Sequence, residues 1–162
     1  MTTIKLSNEV RVSDPCYDDD VWCKSKIKDV LPGEYVVQTR KKGGRVAWLM
    51  VTHKDHLKSD EPWIEHSTIG VDSGQAGIFC ESSYRNDEIT IEKPKGSDFA
   101  LNAYHESGDR WYEKMCSFTL SDKQWGSYES GVASSSGWGD GMYPVDVKKH
   151  KGKIICIKVL FI

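Results

Sequence analysis

The chain has 162 residues, of which 38% are hydrophobic and 28% are charged, with a formal net charge of −2. This length suits one hydrophobic core, and no repeat or linker interrupts it, so we predict a single domain over residues 1–162. The charge argues against a nucleic-acid binder held by a global positive field. The longest apolar run, residues 154–162, is about half a membrane span, so no membrane insertion is expected. Five cysteines without a signal peptide predict a cytoplasmic protein with free thiols.

The first part of the chain is rich in strand-like segments. Residues 4–6 and 9–12 are short apolar or alternating runs. Residues 34–40 and 45–52 flank the sequence KKGG at 41–44, which is a turn signal. We therefore predict a β-hairpin here.

The middle of the chain continues the pattern. Residues 67–81 hold two short apolar runs around a glycine-rich turn, and residues 87–93 alternate apolar and polar. The spacing of apolar residues in 111–120 suits a helix, but β-branched and aromatic content favours a strand. Residues 124–134 are predicted to form a further strand.

The C-terminal part predicts a second hairpin. Residues 143–148 and 153–162 are strand-like and flank a Lys-Gly turn at 151–152. The last segment is almost entirely apolar, which is typical of a strand at the centre of a sheet with both faces covered.

Two segments have helical features. Residues 18–31 begin with aspartates, and residues 96–108 run from a serine cap candidate to a glycine. Many short strands with one or two short helices predict a mainly-β fold, either a β-sandwich or a partly open barrel.

The first segment that could form a functional site is SDPCY, which follows a predicted strand. The simpler interpretation is an Asx-turn, in which the Asp14 carboxylate binds nearby backbone amides. Alternatively, Asp14 is a metal ligand or base, Tyr17 contributes to a ligand site, or Cys16 is a nucleophile. A nucleophilic Cys16 would require a depressed pKa, supplied by a histidine or a helix N-terminus.

The second segment is GVDSGQAG, at residues 70–77. A strand that runs into Asp72, Ser73 and a glycine makes a tight turn whose amides and side chains, Gln75 included, can meet a ligand. The simpler interpretation is a hairpin turn. The segment lacks the lysine of a phosphate-binding loop and the spacing of a nucleophile elbow.

The third segment is SSSGWGDGMYPV, at residues 134–145. Alternating glycines allow positive φ, while Trp138 and Tyr143 can form a pocket wall. Asp140 is either a turn-former or a carboxylate that faces a ligand, and Ser136 lies in the serine run before it. Loops on a strand scaffold often carry function, so both interpretations stay open.

The three segments each carry one aspartate. If Asp14, Asp72 and Asp140 converge, their oxygen ligands would suit a divalent cation such as Mg²⁺ or Ca²⁺. The pattern then predicts a metal-dependent hydrolase that acts on a nucleotide or another phosphoester.

In this order, SDPCY, VDSGQAGIF and SSGWGDGMYPV resemble an uncharacterised family of small bacterial and phage proteins. The matching positions are residues 14–17, 72–74 and 139–144. The resemblance implies a mostly-β single domain in the cytoplasm and no established activity, so it assigns no catalytic residues. A phage origin would suit a host-directed role, such as blocking a defence system.

The leading hypothesis is a non-enzymatic β-sandwich that binds a small polar ligand or a host protein. Its site would be built by residues 14–17, 72–77 and 136–143, at one end of the sheets. The alternatives are the metal-dependent hydrolase, a structural or assembly component with exposed aromatic contacts, and, last, an enzyme with Cys16 as nucleophile.

Overall fold

The structure is a computed structural model that describes residues 1–18, 21–87 and 108–162. Short 3₁₀ helices lie at Lys54–His56 and Glu81–Ser83. The other elements in these ranges are eleven strands and one α-helix: β1 (Thr3–Leu6), β2 (Val10–Ser13), β3 (Ser25–Ile27), β4 (Gly33–Lys42), β5 (Arg45–His53), β6 (Ile64–Val71), β7 (Gln75–Cys80), α1 (Asp109–Thr119), β8 (Trp125–Tyr128), β9 (Gly131–Ser135), β10 (Gly141–His150) and β11 (Lys153–Leu160).

The strands form two separate antiparallel sheets. The six-stranded sheet has the order β1-β4-β5-β11-β10-β6, and the five-stranded sheet has the order β3-β2-β7-β9-β8. Neither sheet closes on itself, so the mainly-β prediction is confirmed as a sandwich rather than a barrel.

The main core lies between the two sheets. It joins Leu49 and Val159 of the six-stranded sheet to Ile78 and Val132 of the five-stranded sheet. All six residues of β7 are buried, because alternate side chains on a strand point to opposite faces and both faces of β7 are covered. Ile78 enters the main core, whereas Phe79 enters a second cluster on the outer face.

The second cluster is where α1 packs, and it corrects the strand predicted for residues 111–120. Trp111 and Met115, four residues apart on one helix face, are fully buried against Phe79 and Ala133 of the five-stranded sheet. The apolar spacing of the segment was the better guide. Strand propensity was misleading because tertiary packing of an amphipathic face outweighs it.

The helix predicted for residues 18–31 is also wrong within the described residues. Residues 25–27 form β3, which pairs with β2, and Val30 makes a parallel bridge to Ile154. Ile27 and Val30 both enter the main core, but they do so from β3 and from the bridge that follows it, so sheet pairing rather than a helix face buries them. Most of the predicted strand at 87–93 and of the predicted helix at 96–108 lies outside the described residues.

Both predicted hairpins are confirmed. β4 and β5 pair across the turn at 43–44, and β10 and β11 pair across the turn at 151–152. β11 lies between β5 and β10, at the centre of its sheet, as its apolar sequence predicted. The strand predicted at 124–134 is instead the tight β8–β9 hairpin. Across the described ranges, none of the helical segments has the length and apolar character needed to traverse a bilayer.

Candidate functional site

Two connections cross between the sheets at the same end of the sandwich. Residues 72–74 link β6 to β7, and residues 136–140 link β9 to β10. They lie side by side because β6 pairs with β10 while β7 pairs with β9, with Gln75 opposite Ser135. The simpler sequence interpretation of residues 72–74, a hairpin turn, is therefore wrong.

Asp14, directly after β2, ties the first of these crossings to the start of the chain. Its buried carboxylate accepts hydrogen bonds from the backbone N–H groups of Cys16 (2.8 Å), Asp72 (2.8 Å) and Ser73 (2.6 Å). The Ser73 hydroxyl donates a fourth, at 2.6 Å. The Asx-turn interpretation is confirmed, and the same carboxylate also joins two loops that are distant in sequence.

Hydrogen bonds also join the two crossings to each other. The Asp140 carboxylate accepts from the Gly74 N–H at 2.9 Å, and the Ser136 N–H donates to the Gly74 carbonyl at 3.0 Å. The hydroxyls of Ser136 and Tyr143 both donate to the Gly139 carbonyl, at 2.8 and 2.7 Å. The three loops therefore meet: Asp14 joins the first loop to residues 72 and 73, and Gly74 joins these to residues 136–140.

The predicted cation site does not form from these residues. Asp14 is occupied by four donors, Asp140 accepts from Gly74, and the Asp72 side chain is exposed. Among the described residues, no group of three or more histidine, cysteine, aspartate or glutamate side chains is arranged to hold a metal ion. The carboxylates of Asp14 and Asp140 act as acceptors for backbone amides, which explains why their short loops need them.

Ser73 and Gln75 point inward rather than toward a ligand. The Gln75 side-chain amide donates to the Ser73 hydroxyl at 3.1 Å, and its oxygen accepts from the Thr119 hydroxyl at 2.9 Å. Gln75 is itself buried. Because Thr119 is the last residue of α1, this chain of hydrogen bonds connects the crossings to the helix.

The surroundings of Cys16 and Tyr17 disfavour ionisation of both side chains. Burial, followed by the hydrogen bond and negative charge of Asp14, raises the pKa of the Cys16 thiol to about 12. Burial and a hydrogen bond with Cys23 likewise raise the pKa of Tyr17. At neutral pH the Cys16 thiol is therefore protonated, which disfavours it as a nucleophile.

We expect iodoacetamide to alkylate Cys16 slowly at pH 8, because the thiolate is the reactive form and the raised pKa makes it scarce. The measurement is a time course of Cys16 modification by peptide mass spectrometry. The matched control is the same cysteine in urea, where the thiol regains its ordinary pKa of about 8.5. Faster modification in the folded protein than in urea would contradict this account.

An open cleft of about 440 Å³ lies at this end of the sandwich, and we call it the end cleft. Trp138 stands at its rim with 69% of its surface exposed, and the Arg45 guanidinium lies over the indole, 4.6 Å from the ring centroid. Arg45 also donates to the Gly137 carbonyl at 3.1 Å. The lining residues are Gly43, Gly44, Arg45, Gly74, Gln124, Ser135, Ser136, Gly137, Trp138 and Gly139.

Two of the predicted site residues, Ser136 and Trp138, line the end cleft. Asp14, Asp140 and Tyr143 do not line it, but they hydrogen-bond to the two crossings that do. Sequence reasoning missed the contribution of the β4–β5 turn and of Gln124, whose amide donates to the Gly44 carbonyl at 2.8 Å. The KKGG turn itself was predicted. Its closeness to residues 135–139 depends on sheet pairing that a local pattern does not contain.

Comparison with known protein families gives a match over most of the chain. The sequence profile of a family described as "Protein of unknown function (DUF4241)" matches residues 5–159. No curated protein matches the chain, and no solved structure matches it. The match spans nearly all the elements described above, from β1 to β11, and the chain belongs to the DUF4241 family of proteins of unknown function.

Proposed function

We propose that the protein is a non-enzymatic binding protein that holds a small polar ligand in the end cleft. The observation that carries the proposal is the end cleft itself, in which an exposed Trp138 is held beside Arg45 above a floor of glycine and serine backbone. Its volume of about 440 Å³ lies within the usual range for small-molecule sites. A concave site of this size favours a small ligand over the alternative of a host protein.

The loops around the end cleft are held before any ligand arrives. Asp14 binds the amides of residues 72 and 73, and Asp140 and Ser136 bind Gly74. A preorganised site loses less conformational entropy on binding, so more of the contact energy appears as affinity. This arrangement supports a binding role for the loops rather than a role as simple connectors.

The described lining residues lack a paired nucleophile and base, which supports binding over catalysis. The hydroxyls of Ser135 and Ser136 donate to the carbonyls of Thr119 and Gly139, at 3.2 and 2.8 Å. A serine nucleophile instead needs its hydroxyl directed to a general base. The hydrolase and assembly alternatives, and a phage-encoded or anti-defence role, stay predictions.

Ligand-induced stabilisation of the purified full chain tests the proposal. We expect at least one small polar compound, at about 100 times its Kd, to raise Tm by about 5 to 10 °C. Trp138→Ala removes the exposed wall of the end cleft and should abolish the shift. Trp22→Ala is the matched control, because Trp22 is 87% exposed but does not line the cleft. An equal shift in all three proteins, or no shift with any compound, would overturn the proposal.

A further inference from the structure

We infer that the end cleft selects a small organic anion, with a carboxylate or phosphate group bound by Arg45 and a flat ring stacked on Trp138. This inference rests on the proposed binding function and names its ligand class. It starts from charge: Arg45 is the one formally charged residue among the described residues that line the cleft. A guanidinium keeps its positive charge at any physiological pH.

The Arg45 guanidinium contacts Gly137 and Trp138, and these contacts leave several of its N–H donors available. It carries five N–H groups in a rigid plane. One nitrogen donates to the Gly137 carbonyl, and no carboxylate among the described residues forms an ion pair with it. Its position over Trp138 restrains the side chain without using the remaining donors. A fixed guanidinium with free donors suits the oxygen pair of a carboxylate or phosphate.

The hairpin that carries Arg45 has charge of the same sign. Arg40, Lys41, Lys42 and Arg45 flank the turn at 43–44, and no acidic residue occurs between positions 35 and 54 of the sequence. Local positive potential raises the concentration of anions near a cleft even on a chain whose net charge is −2. The Asp140 carboxylate does not line the cleft, and it accepts a hydrogen bond from the N–H of Gly74, which does.

The lining glycines and the Trp138 indole indicate the shape of the rest of the ligand. Nothing lies within 4 Å of where a Cβ would stand on Gly43, Gly44 or Gly139, so a ligand can approach this backbone closely. Trp138 is 69% exposed even though Arg45 lies over its ring, which leaves indole surface for a second planar group. A flat ring attached to an oxyanion would use both features together.

Pairs of compounds that differ in charge test the inference on the full chain. The probes are adenosine 5′-monophosphate against adenosine, and benzoate against benzamide, measured by calorimetry at low and high salt. We expect the anion of at least one pair to bind at least about tenfold more tightly than its neutral partner, with the advantage reduced by salt. The phosphate and carboxylate pairs show which oxyanion is preferred.

Arg45→Gln should remove this advantage while leaving the fold intact, since Arg45 is exposed. Arg40→Gln, a cation on the same hairpin that does not line the cleft, should keep most of it. If a neutral compound binds as tightly as its anion, and Trp138→Ala abolishes that binding, the anion inference is overturned while the binding function stands. If adenosine, benzamide and both anions all fail to bind, the ligand class proposed here is wrong. If those four compounds fail but a neutral sugar such as glucose binds, and Trp138→Ala abolishes its binding, the proposed ligand class is wrong while the binding function stands.

Discussion

Asp14→Ala should lower the free energy of unfolding by about 3 kcal/mol, because it leaves several buried donors without an acceptor. The carboxylate accepts from the N–H groups of Cys16, Asp72 and Ser73 and from the Ser73 hydroxyl, and no surface of Asp14 is exposed. Urea denaturation monitored by tryptophan fluorescence measures the loss. For a chain of this length the change corresponds to a fall in Tm of about 6 to 12 °C.

The control for this prediction is Asp72→Ala, which removes an exposed carboxylate from the same cluster of loops. It should change the free energy of unfolding by about 0.5 kcal/mol or less. Asp14→Asn separates shape from charge, since it keeps the volume but replaces one acceptor with a donor, and it should lie between the two. Equal effects of Asp14→Ala and Asp72→Ala would show that Asp14 does not organise the loops.

Trp111→Ala should lower the free energy of unfolding by about 3 to 5 kcal/mol, the usual cost of removing a fully buried aromatic side chain. Trp111 has no exposed surface, and its ring packs on Phe79 (centroids 5.1 Å apart) and on Tyr84 (4.9 Å apart). Its indole N–H also donates to the Tyr128 hydroxyl at 3.2 Å. The substitution therefore removes the main packing contact between α1 and the five-stranded sheet.

Trp138→Ala is the matched control, since it makes the same chemical change at a 69% exposed position. It should cost about 0.5 kcal/mol or less. Trp111→Phe retains a ring in the cluster but loses the hydrogen bond to Tyr128, so its cost should be intermediate. A loss below about 1 kcal/mol for Trp111→Ala would mean that α1 is not docked as described.

Local sequence patterns predicted most of the fold because turn residues and apolar repeats act over a few neighbouring positions. The KKGG and Lys-Gly turns set the two hairpins of the six-stranded sheet, and the continuous apolar run of β11 indicated a central strand. They failed at α1, where aromatic and branched residues favour a strand in isolation. Burial of Trp111 and Met115 against the outer face of the five-stranded sheet decides for the helix.

The candidate site shows the same division. The sequence identifies Asp14, Asp72 and Asp140 as unusual loop residues, but it does not show whether their loops meet. The role of each side chain was not in the sequence, because a carboxylate in a loop can bind a cation or a backbone amide equally well. Only the distances to the amides of residues 72–74 distinguish the two.

By itself, the sequence determined the mainly-β class, both long hairpins and the three polar loops, since turn chemistry and a two-residue repeat act over a few neighbours. The tertiary structure decided which loops share a site. The pairing of β6 with β10 and of β7 with β9 places SSSGWGDGMYPV beside VDSG. The end cleft also brings residues 135–139 beside the KKGG turn, about a hundred positions earlier in the chain. Such contacts depend on strand order, and strand order is set by the packing of whole sheets rather than by any one segment.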